Sequence, residues 1–258
     1  MTGNEKSYKR AIENGVEFLK KTIQAKNAKK KVSLGIKSVD NFRKAISISK
    51  EIGLTKKTPF IYEYLQQIQA TLGAGYLELK KTKEALNTFQ EALDSNAKSP
   101  QNTKQKEIRS FIFAELAKIY FSIKKGKIAE KYANQALQLG TEKNFNQEDL
   151  LDLYIEMNPI FIRSGNLNKI SKNYRSMVKI AKRDKRKHLK AQVYFSYGKY
   201  LWGIKKEEVE SMKYLKKSQT LFKTLGSAQG IAEVDSFIKE KIKKEKNSSP
   251  EPDTINTT

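Results

Sequence analysis

His188 is the one histidine of the chain, and it stands inside a run of cations, between Lys187 and Lys190. A lone imidazole in that setting has no companion for general-base work and too few neighbours for a metal centre. There are no cysteines, which excludes thiolate metal sites, thiol nucleophiles and a disulfide framework. Gly73-Ala74-Gly75 reads as a helix-packing feature and not as a nucleotide cradle. No phosphate loop, nucleophile elbow or paired-histidine metal motif occurs elsewhere. The expectation is a protein that binds and does not catalyse, with no catalytic residue, no cofactor and no metal.

The stretch around His188 is also the densest in charge, with Lys179, Lys182, Arg183, Lys185, Arg186, Lys187 and Lys190. Together with Lys124, Lys125 and Lys127, these cations make a candidate phosphate-binding stripe, whose affinity for nucleic acid would fall steeply with salt. A solvated helix end and linker is the preferred reading, because no aromatic interleaving and no nucleic-acid motif accompany the run. Across the 258 residues, 51 Lys+Arg oppose 28 Asp+Glu, a formal charge of +23. A field of that sign favours acidic partners such as nucleic acid, anionic membrane or acidic protein segments, although a lysine-rich composition alone produces the same number.

The elements that must carry these residues are helical. Thirteen glycines and five prolines are few breakers for so long a chain. The clearest pattern is Leu72-Gly73, Tyr76, Ala85, Phe89 and Ala92. It puts Leu72, Gly73 and Tyr76 on one side of a first helix, facing Ala85, Phe89 and Ala92 on a second. The small residues let two antiparallel helices approach closely, and the aromatics fill the space between layers. The register returns at Leu116-Ala117, Tyr120, Ala129 and Ala136. It appears again more loosely at Met157, Phe161, Gly165, Tyr174 and Met177, with Asn158 in the small-residue position. A fourth copy, Gly198, Ser211, Leu215 and Ser218, needs one extra residue between its helices. Upstream, Phe42 and Ala45 suggest the second helix of another unit whose first helix lies around residues 5–24.

This pattern resembles the tetratricopeptide-repeat superfamily over about residues 35–225. The fold implied is all-α, a right-handed α-α superhelix with a C-terminal capping helix and a disordered tail. The successive spacings along Gly73, Ala117, Asn158 and Gly198 are 44, 41 and 40 residues, longer than the usual 34. Such periods are similar to the longer-helix variants of Rap-type peptide-sensing regulators and kinesin light chains, although no Rap-like N-terminal effector signature is present. The organisation expected is an N-terminal helix and basic loop over 1–34, with Gln24–Ser33 a basic loop or a frayed helix end, then repeats over 35–227. A capping helix over 228–246 would present Ile231, Val234, Ile238 and Ile242, and a disordered tail would follow over 247–258. The tail holds Ser249-Pro250, a possible proline-directed phosphorylation site if the source is eukaryotic.

The resemblance implies a scaffold that holds a peptide or helix of a partner, one with apolar side chains and an acidic or carboxylate group, on the concave face formed by the first helices. By register that groove includes Ala70, Ala74 and Leu77, then Phe111, Ala114, Lys118 and Phe121, then Ile155 and Arg163, and finally Phe195, Lys199 and Trp202. The same residues read alternatively as packing between layers. The carboxylate clamp of chaperone-binding relatives is not matched, because its positions hold Ala70, Ala74, Phe111 and Glu115. The alternative functions are a nucleic-acid-associated protein using its basic surface and a peptide-sensing regulator. No run of about 18 apolar residues occurs, so no membrane insertion is expected, and a cytoplasmic location is expected, or a nuclear one in a eukaryote. Asn158 before Pro159 is read as helping to satisfy a helix kink.

Overall fold

The computed structural model describes residues 2–142 and 145–248, and the side chains of 244–248 are not described. Ser249-Pro250 and the rest of the expected tail beyond Ser248 lie outside the described residues. Among the described residues there is no strand, and eleven α-helices follow one another: α1 (Gly3–Gln24), α2 (Ala28–Glu51), α3 (Thr58–Glu78), α4 (Thr82–Lys98), α5 (Thr103–Ser122), α6 (Gly126–Gly140), α7 (Gln147–Ser164), α8 (Leu167–Ala181), α9 (Lys187–Tyr200), α10 (Glu208–Thr224) and α11 (Ala228–Ser248). They divide into two compact units, 1–170 and 171–258.

Local sequence explains most of the boundaries. Thr2 and Glu5 form a reciprocal capping box at α1, and Asn27, Asn102 and Asn146 accept the first free amides of α2, α5 and α7. The cap at Asn27 corrects the expected loop over Gln24–Ser33. Only a short turn separates α1 from α2, and Lys29, Lys30 and Lys31 lie in the first turns of α2. The turns inside pairs reverse through a left-handed residue: Lys80 (φ 60°), Lys124 (φ 61°) and Gly165 (φ 72°). At the first two, the next amide reaches back five residues, Lys81 N to Tyr76 O (2.8 Å) and Lys125 N to Tyr120 O (2.9 Å), which closes the helix end.

In unit one the pairs share a repeated contact. Gly15 faces Phe42 and Gly73 faces Phe89, and a side chain on either glycine would collide with the ring. Ala117, Ala129, Ala133 and Ala136 are fully buried between α5 and α6. At α1–α2 the Ser38 hydroxyl donates to Gly15 O (2.7 Å), so a polar residue stands in the small-residue position at no cost in unpaired groups. Asn158 occupies the glycine position of α7 and is 4% exposed, with no hydrogen-bond partner for its Oδ1 among the described residues. The helix continues through Pro159, and that oxygen makes no bond of the kind expected to support a kink there.

Unit two repeats the motif with an irregularity. Ser211 donates to Gly198 O (2.7 Å) and Ser218 to Ala191 O (2.8 Å), which ties α10 to α9. Between them, Leu201–Lys205 is a π-helical turn that ends at Lys206 in the left-handed region (φ 61°). A π turn absorbs one residue more than α geometry, and this is the physical form of the insertion needed in the fourth copy. Val234 of α11 is fully buried, with Ile231, Phe237 and Ile238 packed beside it. Ile242, expected on the same face, is 41% exposed.

Candidate functional site

The first helices of successive pairs in unit one run side by side. Lys118 of α5 meets Glu156 of α7 (3.2 Å), and further along the Arg163 guanidinium lies 5.2 Å over the Phe121 ring. Between α3 and α5 there is a cleft of about 420 Å³ with Ala70, Ala74, Ile108 and Phe111 on its walls and Gln67, Thr71 and Glu107 at its rim. The small side chains of Ala70 and Ala74 make the depth, and Phe111, 42% exposed, supplies an apolar wall. Phe111 is held in place by an edge-on contact with the buried Phe89 at 6.4 Å. Ala70 and Ala114, expected on the open face, are almost fully buried, and of the two only Ala70 lines the cleft.

Lys118 is engaged on both sides, with Glu115 at 2.6 Å and Glu156 at 3.2 Å. Burial works against its charge, but the hydrogen bond it donates to Glu115 and the charges of Glu115 and Glu156 together raise the ammonium pKa above its ordinary value. Lys118 is thus a fixed cation bridging two helices. Ile155 beside it is half-buried.

The three expected groove residues of unit two do not form an open face. Trp202 is 8% exposed and belongs to the core with Leu215, Phe222 and Val234, edge-on to Phe237 of α11 at 6.5 Å. Phe195 is half-buried against the same Phe237 at 6.1 Å, and Lys199 lies 5.2 Å over Phe195. The π turn displaces the register that had put Trp202 outside. What the sequence reading missed was Phe237, the aromatic that covers both.

The cationic run around α8–α9 is partly structural. Asp184, 6% exposed, accepts from the backbone amide of Arg186 (2.7 Å) and from its guanidinium (2.8 Å). The Arg186 hydrogen bond holds the Asp184 carboxyl below the usual carboxylate range. Lys190 Nζ donates to Lys182 O (3.3 Å). Lys179, Lys182, Arg183, Lys185 and Lys187 project around this braced turn. His188 contacts Gln192 (3.0 Å) and packs T-shaped against the Phe222 ring. Among the described residues there is no group of three or more potential metal ligands, and no helix is long and apolar enough to cross a membrane.

No protein-family model matches the chain, and no curated protein matches it. Solved structures do. The apo form of RapI superposes on 96% of this chain and 67% of its own with a TM-score of 0.56 at 11% identity. The tetratricopeptide-repeat sensor protein of the signal-transduction ATPase class from Pyrococcus horikoshii matches over 80% of this chain, at a TM-score of 0.55 and 18% identity. The chain spans 33% of that protein's length. At such identities the likeness is one of fold. The fold they share with this chain is all-α and tetratricopeptide-repeat-like.

Proposed function

We propose that the chain is a non-enzymatic interaction scaffold that takes an apolar side chain of a partner peptide or helix into the cleft between α3 and α5. The observation that carries this is Phe111, a large aromatic left 42% exposed beside two alanines and fixed from behind by Phe89. Rigid aromatic walls lose little entropy on binding, and small residues opposite let a partner's backbone come close. The Glu115–Lys118–Glu156 bridge and Arg163 continue the same face with polar groups that set orientation. The likeness of fold to RapI and to a repeat sensor domain is consistent with this reading. The test is a displayed peptide library selected on the whole chain, followed by Phe111→Ala and Ala74→Arg. Selected peptides should bind each variant at least tenfold more weakly. Equal binding by both variants overturns the site.

A further inference from the structure

One edge of unit one combines lysine-rich turns with exposed aliphatic side chains, a pairing that the opposite edge does not repeat. The turns within pairs, at residues 25–27, 79–81, 123–125 and 165–166, all lie on it, because α1, α3, α5 and α7 share a direction. Two contacts bind neighbouring turns together: Lys31 of α2 pairs with Glu78 at the end of α3, and Asn166 donates to Glu130 of α6 (2.9 Å). These turns are rich in exposed lysine: Lys29 and Lys30, then Lys80 and Lys81, then Lys124 and Lys125. The carboxylates present, Glu17, Glu78 and Glu130, are taken up by Lys21, Lys31 and Asn166, leaving Glu84. At the opposite edge the signs alternate. Glu51 and Glu63 stand near Lys56 and Lys57, and Lys106 pairs with Glu142 (2.6 Å) among Glu148 and Asp149.

The second property is apolar. Among the described residues, nine large hydrophobic side chains of unit one are exposed, and six of them are on the lysine-rich edge: Ile23, Ile36, Ile123, Ile128, Ile162 and Leu167. All six are aliphatic, whereas the three elsewhere are Phe60, Tyr64 and Phe111. Two clefts open on this edge, one lined by Ile36 with Lys29, Lys37 and Lys81, the other by Ile160 with Lys124, Lys127 and Arg163. At its own turn unit two also exposes Ile204 (41%) and Val209 (89%), but there Lys205 and Lys206 are offset by Glu207, Glu208 and Glu210.

We infer that the turn edge of unit one is a peripheral docking surface for an anionic lipid bilayer. Lysine clusters are attracted to acidic headgroups, and aliphatic side chains between them enter the boundary beneath. Nucleic acid fits less well, since single strands are held by stacked aromatics and bases by forked arginines, and this edge offers isoleucine and lysine. The surface is separate from the α3–α5 cleft.

The test uses the whole chain with vesicles of phosphatidylcholine, with and without about a third of phosphatidylserine, by co-sedimentation near 0.1 M salt. Binding is expected to the anionic vesicles and to be at least tenfold weaker to the neutral ones. Each lysine near such a surface contributes roughly a fivefold factor, so Lys81→Glu/Lys124→Glu/Lys127→Glu should lower affinity at least tenfold. Lys56→Glu/Lys57→Glu/Lys104→Glu, the same charge change on the opposite edge, should lower it far less. Ile123→Ser/Ile128→Ser should weaken vesicle binding at unchanged charge, and Phe111→Ala should leave it unaltered. Equal losses from the two lysine triples, or no effect of the isoleucine pair, overturns the inference. So does binding to a single-stranded oligonucleotide that exceeds vesicle binding and ignores the isoleucine changes.

Discussion

The Phe89 ring lies directly on the bare Cα of Gly73, where an added methyl group would sit 2.8 Å from Phe89 Cε1. The same distance separates a methyl on Gly15 from Phe42 and one on Gly198 from Leu215. Three helix pairs thus use one device, a hydrogen on the first helix beneath a large side chain on the second. Overpacking of this kind costs about 1–3 kcal/mol, against up to about 1 kcal/mol gained from alanine's helix propensity. Gly73→Ala is expected to lower stability by about 1–2 kcal/mol in urea unfolding. Gly126→Ala, with nothing within 4 Å, should be neutral or slightly stabilising. Equal midpoints for the two variants would rule out the close-approach account.

That device is why the repeats were legible in the sequence. A helix crossing tight enough to need glycine or alanine on both sides leaves the spacing Gly73, Ala85, Phe89, Ala92 as its imprint. Of the residues expected to line a groove, Phe111 is 42% exposed on the regular helix α5, whereas Trp202 turns inward through a π turn that one extra residue permits but does not locate. Gln24–Ser33 reads as a basic loop because lysines carry no periodicity and disfavour a helix N-terminus, although Asn27 is a preferred N-cap residue. The lysine–isoleucine edge was not legible, since Ile36, Ile128 and Ile162 come to one edge only when turns distant in the chain are brought to one side.

The left-handed lysines supply a second prediction. A residue with a Cβ in this region is strained by roughly 1 kcal/mol, and glycine is the usual occupant, as at Gly165. Lys124→Gly should therefore raise stability by up to about 1 kcal/mol, measured as a higher midpoint of thermal unfolding, even while the edge loses a cation. Gly165→Ala should lose about the same amount. A destabilised Lys124→Gly protein would mean that its side chain supports the fold.

Asp184 sets a pH dependence. Its folded pKa is depressed by Arg186, so the unfolded chain binds the proton more readily. The stability it contributes is fully present above the ordinary carboxylate pKa of about 3.9 and is lost as pH falls through the lower folded value. Asp184→Asn removes the charged partner of the Arg186 fork and should cost about 1–3 kcal/mol at pH 7. The variant should also lose stability less steeply than the parent below about pH 4. If both chains lose stability in parallel there, Arg186 does not stabilise the carboxylate.

The chain's single tryptophan makes the cover over unit two directly observable. Trp202 is 8% exposed because Phe237 stands edge-on to it and Val234 fills the space beside Leu215 and Phe222. A buried indole emits at short wavelength, so native emission should be blue-shifted relative to the chain in denaturant. Phe237→Ala removes a half-buried ring shared by Trp202 and Phe195, and should cost about 2 kcal/mol with a modest red shift. Val234→Asp places an unpaired charge at a fully buried position and should detach α11, moving emission most of the way to the solvent value. The same loss of cover should make the protein aggregate at lower temperature, because the face it uncovers is apolar. Native-like emission from Val234→Asp would mean that Trp202 is sealed by α9 and α10 alone, and α11 would then not be the cap.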